Sequence, residues 1–236
     1  MGGNMVQPAP NVTLRRLALY HSVLQRLQKD GREVVSCTRI GEELRFDPTQ
    51  VRKDIEATGI VGKARIGYEV KALLVVIEEF LGWNNTREAF LVGAGSLGTA
   101  LLGYERLKSL GLSIIAAFDT NPQKIGSTIH GVEVLPLEKL VDLSRRMLVL
   151  VGIITVPDES AQTVADLMVA GGMRAVWNFA PVSLAVPDGV VVEDVQIASS
   201  LAVLSKRLSR ALALEKKGED SDVGNAHAPA ARGQKF

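Results

Sequence analysis

The chain has 236 residues, a formal net charge of +1 and 47 % hydrophobic residues, a composition that supports a packed core and excludes a wholly disordered chain. It contains no apolar run of about 18 residues, and residues 1–10 lack the basic start and apolar core of a secretory signal, so we expect a cytoplasmic protein without a membrane span. The single cysteine and the three widely separated histidines exclude an internal disulfide framework and lack metal-ligand spacing, so we expect no bound metal.

Composition and periodicity divide the chain into five segments. They are an N-terminus (1–12), a small helical domain (13–82), a larger α/β domain (83–194), a long helix (195–214) and a polar tail (215–236). We expect both terminal segments to be disordered, the tail because it has almost no apolar mass. Residues 1–75 carry 12 Lys+Arg against 8 Asp+Glu, whereas the remainder carries 15 against 18. This imbalance is compatible with nucleic acid contact by the first domain, although ordinary solvated surface often has it too.

The small domain contains a predicted helix-turn-helix. A first helix runs from Thr13 to about Lys29, with apolar residues at helical spacing on one face. Ser36 is suited to cap a second, short helix, and Asp47 followed by Pro48 is typical of the start of a third. Two short helices joined by a tight turn predict the helix-turn-helix arrangement.

The third helix of this domain has side chains suited to reading DNA. Its apolar Val51 and Ile55 lie four residues apart and predict the buried face. The side chains expected to face outward are Thr49, Gln50, Arg52, Lys53 and Glu56. Amide, guanidinium and ammonium groups in the first turns of a short helix are what major-groove reading requires. An ordinary exposed helix face has the same pattern, so the helix alone leaves both interpretations open.

A basic hairpin is predicted directly behind that helix. Glycines punctuate residues 59–70, and Lys63 and Arg65 fall at the expected tip. A basic hairpin in this position is typical of the wing of a winged helix, whose tip reaches DNA phosphates or a minor groove. An apolar helix from about Val70 to Leu81 then closes the small domain.

A glycine-rich turn marks the start of the larger domain. A strand over 88–92 leads into Gly93-Ala94-Gly95-Ser96-Leu97-Gly98 and then into a helix, which is the G-x-G-x-x-G pattern in its strand–turn–helix context. The first glycine permits the turn, the second lets a pyrophosphate approach the backbone, and the third permits close helix–strand packing. A second strand ends in Asp119, 21 residues beyond Gly98, where a carboxylate accepts hydrogen bonds from a ribose and repels a 2′-phosphate. The combination predicts a site for NAD(H) in preference to NADP(H).

Strands and helices continue to alternate after Asp119. The predicted strands lie at about 147–154, 174–177 and 189–193, with a helix at 160–170 between the first two. This alternation predicts an α/β fold with a doubly wound parallel sheet, in which ligands bind beyond the carboxyl ends of the strands. The turns at Thr155 and Phe179 are therefore candidate pocket walls, with ordinary packed loops as the alternative. The long helix over 195–214 packs either on its own sheet or on a second subunit, and we favour dimerisation because helix-turn-helix proteins usually read two half-sites.

In order and content, these segments resemble the Rex family of redox-sensing transcriptional repressors. The resemblance covers about Leu14 to Leu208 and depends on Gln50-Val51-Arg52-Lys53-Asp54, Ile66-Gly67-Tyr68, Val92 to Gly98, Ala117-Phe118-Asp119, Ile154-Thr155-Val156-Pro157 and Asn178-Phe179-Ala180-Pro181-Val182. It implies a homodimer with swapped terminal helices that binds double-stranded, palindromic operator DNA when NADH is scarce. It also implies that NADH binding releases the DNA and that no reaction is catalysed.

The resemblance implies roles for individual residues. Arg52 and Lys53 would contact DNA from the recognition helix. The residues that would hold the dinucleotide or line its nicotinamide pocket are Gly93, Gly95, Gly98, Asp119, Tyr104, Phe179 and Pro181.

The sequence departs from the family pattern in three places. The wing arginine lies one position later, at Arg65, and Glu56 brings a negative charge to the end of the recognition helix. The family's switching acid falls at Gln196 and the arginine that it pairs with falls at Ser22, so both halves of that ion pair are missing. We therefore expect an intact dinucleotide site with an altered switch or operator preference, and Asp194 as a candidate replacement for the acid.

Two other functions remain open. An NAD-dependent oxidoreductase would share the Rossmann domain, but the sequence has no substrate domain, and Tyr104 has no suitably placed lysine partner. A regulator that responds to coenzyme A would share the same fold, although Asp119 would repel a phosphorylated ribose. Cys37, at the start of a short helix, is a candidate thiol sensor, with a buried apolar role as the alternative. We expect His21 to be packed within the helical domain.

Overall fold

The structure, a computed structural model, describes residues 10–85 and 87–224. A helical N-terminal domain is followed by an α/β domain and a long terminal helix, as the sequence predicts. We expected disorder at 1–12 and 215–236. Residues 1–9 and 225–236 lie outside the described residues, whereas residues 11–12 and 215–224 belong to helices, so the expectation is wrong there. No helix within the described ranges combines the length and the apolarity needed to cross a membrane.

The helical domain is a helix-turn-helix packed on two further helices. Its elements are α1 (Asn11–Lys29), β1 (Val34–Val35), α2 (Cys37–Leu44), α3 (Pro48–Glu56), β2 (Tyr68–Glu69) and α4 (Val70–Leu81). Both predicted caps are confirmed: Ser36 Oγ accepts a hydrogen bond from the Arg39 N–H at 3.1 Å, and Asp47 Oδ1 accepts one from the Thr49 N–H at 2.6 Å. These caps fix where α2 and α3 begin. The apolar faces of α2 and α3 meet those of α1 and α4 in one core.

His21 is packed in this domain, as expected. Its side chain is fully buried, with Nε2 2.7 Å from Glu78 Oε1 on α4. The imidazole also meets the Trp83 ring edge-to-face, with the centroids 5.1 Å apart. His21 therefore joins α1 to the end of α4.

The predicted hairpin of the wing is shorter than expected. Lys63 and Gly67 form a single β-bridge that encloses a loop with Arg65 in the left-handed region at φ 65°. The chain then leaves the hairpin and pairs as β2 with β1, with Tyr68 opposite Val35. Gly67 causes this change of partner, because its backbone lies so close to β1 that a Cβ would sit 2.2 Å from the Val35 carbonyl oxygen.

A twisted sheet forms the centre of the larger domain. Its elements are β3 (Arg87–Val92), α5 (Ser96–Leu102), α6 (Arg106–Ser109), β4 (Leu112–Asp119), β5 (Thr128–Ile129), β6 (Val132–Pro136), α7 (Leu140–Met147), β7 (Val151–Ile154), α8 (Asp158–Ala170), β8 (Ala175–Asn178) and β9 (Val191–Asp194). The strand order is β5-β6-β4-β3-β7-β8-β9, and all neighbours are parallel except β5 and β6. The chain winds outward from β3 in one direction and then, from β7, in the other. This is the doubly wound parallel sheet that the alternating pattern predicts.

The structure corrects one boundary in this domain and adds one hairpin. The apolar run predicted as a strand from residue 147 begins instead as the end of α7, and Leu148 ends that helix in the left-handed region before β7 starts at Val151. A continuous apolar run does not show where a buried helix gives way to a buried strand. The short hairpin of β5 and β6, which turns at His130 and Gly131, is absent from the sequence prediction.

The terminal helix α9 (Ile197–Gly224) extends well beyond the predicted end at residue 214. The prediction followed the loss of apolar residues, whereas the Glu and Lys residues that follow have high intrinsic helix propensity. The stripe side chains Leu201, Leu204 and Leu208 are all more than half exposed. The helix therefore presents an apolar face that the described part of the chain leaves uncovered.

Candidate functional site

The glycine-rich loop lies where the winding of the sheet reverses. It follows β3, which has β4 on one side and β7 on the other. Thr155 follows β7 directly and lies beside the loop, because its N–H donates to the Val92 carbonyl oxygen at 2.9 Å. In open α/β sheets, the crevice at this reversal point is where ligands bind.

Glycine is required at each of the three positions of the loop for a different structural reason. Gly93 has a φ of 104°, and its carbonyl oxygen accepts a hydrogen bond from Thr155 Oγ1 at 2.8 Å. A Cβ on Gly98 would lie 2.0 Å from that same carbonyl oxygen, so the third position must be glycine for α5 to approach β3. A Cβ on Gly95 would meet no atom within 4 Å. The second glycine therefore keeps space open beside the backbone, which is where a pyrophosphate approaches in this motif.

The Asp119 carboxylate organises the other wall of the crevice. Its Oδ2 accepts hydrogen bonds from the Ala94 N–H at 2.9 Å and from Lys124 Nζ at 3.1 Å, and its Oδ1 accepts one from the Asn121 N–H at 2.8 Å. Burial disfavours the charged form, but the hydrogen bonds from Asn121 and Lys124 outweigh burial and hold the pKa of Asp119 below its ordinary value. The carboxylate is therefore ionised at neutral pH and suited to accept hydrogen bonds from ribose hydroxyl groups.

A cavity of about 430 Å³ opens between the loop and Asp119. Of the predicted site residues, the structure brings Gly93, Gly95, Asp119 and Thr155 to its walls. Sequence reasoning missed Lys124, which also lines the cavity; its basic charge five positions after Asp119 was the available signal. The remaining motif residues support the loop or begin α5: Ala94 and Gly98 are buried, and Ser96 and Leu97 are exposed.

The residues predicted at the nicotinamide end are not gathered with this loop. Tyr104 is 49 % exposed and lines a separate cavity of about 490 Å³. Phe179 lies beside the Thr155 turn, because its N–H donates to the Ile154 carbonyl oxygen at 2.9 Å, and its ring packs on Trp177. Pro181 is exposed. None of these three predicted residues lines the cavity at Asp119.

The recognition helix α3 exposes most of its predicted DNA-reading side chains. Thr49, Arg52 and Lys53 are exposed. Gln50 is only partly exposed, and its Nε2 donates to Asp54 Oδ1 at 3.0 Å. The i, i+4 spacing on the helix brings these two side chains together, so the amide of Gln50 supports α3.

Asp54 anchors α3 to α1. Its buried carboxylate accepts hydrogen bonds from Arg16 Nε at 2.6 Å and from the Tyr20 hydroxyl at 2.8 Å. Burial alone would raise the pKa of Asp54, but the hydrogen bonds from Arg16 and Tyr20 outweigh it and lower that pKa. Sequence reasoning missed this anchor, although Asp54 shares the buried face of Val51 and Ile55 by its spacing.

A groove of about 580 Å³ separates α3 from the wing. Arg52, Lys63, Arg65 and Glu56 all line it, so three cations and one anion face the same space. Cys37 lies at the bottom of this groove and is 8 % exposed. Burial raises the pKa of the Cys37 thiol, which disfavours the reactive thiolate and supports the packed alternative over a thiol sensor.

The positions of the missing ion pair have other partners. Ser22 Oγ accepts a hydrogen bond from Arg106 of α6 at 3.0 Å. Gln196 precedes α9, and its side chain accepts a hydrogen bond within the first turn of that helix. Asp194 Oδ1 accepts a hydrogen bond from Asn178 Nδ2 at 2.8 Å, so this candidate acid is engaged with β8 and not with α1.

The sequence is similar to two protein families and to curated repressors. Residues 9–55 match the family described as "Putative DNA-binding protein N-terminus", and residues 84–182 match the "CoA binding domain" family. The chain is 44 % identical over 200 residues to the redox-sensing transcriptional repressor Rex of Bacteroides fragilis, covering 85 % of this chain and 91 % of that protein. It is also 44 % identical over 204 residues to Rex of Treponema denticola, covering 86 % of this chain and 96 % of that protein.

Solved structures of a Rex-family repressor, RSP, have the same fold. RSP in complex with NAD⁺ and operator DNA superimposes with a TM-score of 0.80 at 34 % identity, covering 89 % of this chain and 98 % of that chain. RSP in complex with NADH gives a TM-score of 0.80 at 33 % identity, covering 88 % of this chain and 98 % of that chain. The match spans the helical domain, the sheet domain and the connection between them.

Proposed function

Because the chain belongs to the Rex family of redox-sensing transcriptional repressors, we propose that it binds operator DNA and that NADH releases it from that DNA. The observation that carries the proposal is the presence in one chain of a crevice suited to a dinucleotide and an exposed, basic recognition helix. The crevice is built on the glycine-rich loop and Asp119, and the helix displays Arg52 and Lys53. Neither feature by itself connects a redox cofactor to gene control.

The crevice fits NAD(H) by its shape and its charge. Gly95 leaves room for the pyrophosphate, and the ionised Asp119 accepts hydrogen bonds from the ribose hydroxyls. NAD(H) supplies the redox signal, since its two forms differ by a hydride on the nicotinamide ring. Phe179, beside the Thr155 turn, is the residue that we assign to the nicotinamide end from within the same chain. Tyr104 and Pro181 stay proposed residues of the nicotinamide end, although neither lines the cavity at Asp119.

The DNA-binding surface follows from the helical domain. We assign base or phosphate contacts to Thr49, Arg52 and Lys53 on α3, since their side chains are exposed. Lys63 and Arg65 on the short wing reach the flanking phosphates or a minor groove. Gln50 stays a proposed DNA contact through its exposed part, although its amide nitrogen is held by Asp54.

We propose a homodimer as the DNA-binding form. The exposed leucine stripe of α9 supports this, because a second copy offers an identical stripe that can cover it. Two recognition helices then meet two half-sites of a palindromic operator. A repressor of this kind works on chromosomal DNA, so we assign it to the cytoplasm, and we propose that it catalyses no reaction.

Coenzyme A is the second candidate effector, since residues 84–182 match a CoA binding domain family. Asp119 favours a ribose with free hydroxyl groups over a phosphorylated one. Calorimetric titration of NADH in the presence and absence of coenzyme A distinguishes the two candidate effectors. We expect NADH binding to be unaffected by coenzyme A, and displacement of NADH by coenzyme A would favour the second candidate.

The proposed function is tested by selecting DNA from a random duplex library with the full-length protein. We expect a palindromic sequence to be enriched, because a symmetric dimer reads two equal half-sites. Arg52→Ala should weaken binding to the selected duplex while leaving NADH binding unchanged. Arg146→Ala, at an exposed position of helix α7, serves as the matched control. A failure to enrich any duplex, or equal binding by the Arg52 variant and the wild type, would contradict the proposal.

A further inference from the structure

Hydrogen bonds join α1 of the DNA-binding domain to two separate elements of the nucleotide-binding domain. The Arg106 guanidinium on α6 donates to Ser22 Oγ at 3.0 Å and to Gln25 Oε1 at 3.2 Å. The Arg15 guanidinium on α1 donates to Glu193 Oε1 on β9 at 2.8 Å. Ser22 lies seven positions after Arg15, about two helical turns, so the contacts fall along one side of α1.

Both contacts begin on elements that are connected to the walls of the dinucleotide crevice, although neither α6 nor β9 lines the cavity itself. Arg106 lies on α6, which follows α5, and α5 begins directly after Gly95 in the glycine-rich loop. Glu193 is in register with Trp177 on β8, the strand that leads to Phe179. A shift of the loop or of the end of β8 on ligand binding therefore changes the position of a group that holds α1.

The opposite side of α1 carries the recognition helix. Arg16, the neighbour of Arg15, donates to Asp54 of α3 through Nε at 2.6 Å and through Nη2 at 2.8 Å. Tyr20 donates to the same carboxylate. These side chains hold α3 firmly to α1, so a displacement of α1 moves the recognition helix with it.

The bonds from Arg106 are suited to a reversible contact. Its acceptors, the Ser22 hydroxyl and the Gln25 amide, are neutral. Arg106 and Ser22 are exposed and Gln25 is partly exposed, so the contact can form and break at small energetic cost. The Arg16–Asp54 pair is different, since Asp54 is only 2 % exposed. The weaker contact therefore faces the nucleotide domain and the stronger one faces the DNA-binding helix.

We propose that Arg106 is a positioning residue that couples the nucleotide site to the DNA-binding domain, by holding α1 through Ser22 and Gln25. Nucleotide binding shifts α5 and α6, Arg106 transmits the shift to α1, and the Asp54 anchor carries it to α3. The inference rests on the proposed function, because the proposed function requires a path between the nucleotide site and the DNA-binding helix, and the inference assigns that path. The Arg106 guanidinium, the nucleotide site and the recognition helix that it couples all belong to one chain.

The test measures coupling separately from binding. The NADH dissociation constant of the full-length protein is determined by calorimetry with and without the duplex recovered by selection, and the ratio of the two is the coupling factor. Arg106→Gln should leave the NADH constant of the free protein and the DNA affinity within about twofold of wild type, because the residue lies outside both sites. We expect it to reduce the coupling factor about two- to fivefold, the range for loss of exposed polar contacts. Arg146→Gln, an exposed arginine of α7 paired with Asp142, is the matched control and should change nothing.

A double-mutant cycle shows whether the effect passes through α1. Ser22→Ala combined with Gln25→Ala should reduce the coupling factor as much as Arg106→Gln does, and adding Arg106→Gln to that pair should have no further effect. Unchanged coupling in Arg106→Gln, or effects that add independently, would overturn the inference while leaving the proposed function intact. A wild-type protein whose NADH affinity is unaffected by DNA would overturn the proposed function as well.

Discussion

Alanine at the second or at the third glycine of the loop, Gly95 or Gly98, should have different effects, because Gly95 leaves space for the ligand and Gly98 permits the packing of α5. In Gly98→Ala, the new methyl group lies 2.0 Å from the Gly93 carbonyl oxygen, so that carbonyl has to retreat and its 2.8 Å hydrogen bond from Thr155 is lost. Overpacking of this kind costs about 1–3 kcal/mol, and the lost hydrogen bond about 1 kcal/mol more. In Gly95→Ala, the methyl group meets no protein atom within 4 Å, so the fold is undisturbed and the group occupies only the space of the ligand.

Thermal unfolding and calorimetry with NADH distinguish the two variants. We expect the Tm of Gly98→Ala to fall by roughly 4–16 °C, since the loss is about 2–4 kcal/mol and each kcal/mol shifts a domain of this size by about 2–4 °C. The Tm of Gly95→Ala should remain within about 1 °C of wild type, while its NADH affinity falls at least about tenfold because the pyrophosphate loses its place. Wild-type NADH affinity in Gly95→Ala would refute the assignment of the loop to a dinucleotide. An unchanged Tm in Gly98→Ala would refute the packing argument.

Three further predictions concern the crevice, the anchor and the terminal helix. Asp119→Asn should bring NADPH affinity close to NADH affinity in calorimetry, because Lys124, 3.1 Å away, is freed to bind a 2′-phosphate; continued rejection of NADPH would contradict this. Asp54→Asn should lower the free energy of unfolding at pH 7 by about 2–4 kcal/mol in urea titrations. Because the pKa of Asp54 is lowered by folding, its stabilisation is complete above pH about 3.9 and is lost as the pH falls through the lowered value, so the variant should lose less stability in acid than wild type. Leu204→Asp with Leu208→Asp should yield a monomer by light scattering that keeps NADH binding; an intact dimer would rule out α9 as the interface.

Features that depend on neighbouring residues could be predicted from the sequence. The caps at Ser36 and Asp47, the helix over Val70–Leu81 and the glycine-rich turn each follow from chemistry within a few positions, and the structure confirms them. Asp119 could also be located, because the end of a strand in this fold fixes the position of the carboxylate.

Features that depend on distant residues could not be predicted in this way. Gln50 turns inward because Asp54 is held by Arg16, 38 positions earlier in the chain. The wing is short because Gly67 fits against β1, which precedes the helix-turn-helix. The contact of Arg106 with Ser22 joins two domains and leaves no local pattern. The short wing and the Arg106 contact are tertiary, and the local contact of Gln50 with Asp54 depends on a tertiary one, the bond from Arg16.

The most direct test of the proposed function compares NADH and NAD⁺ as releasing ligands on one preformed complex. Full-length protein bound to a fluorescent selected duplex is titrated with NADH and, separately, with NAD⁺ over the same concentration range. DNA release is followed by fluorescence anisotropy. We predict that NADH releases the duplex at a concentration at least about tenfold below that needed for NAD⁺, which corresponds to about 1.4 kcal/mol of discrimination. Equal release by the two forms, or no release by either, would contradict the claim that this repressor senses the redox state of its dinucleotide.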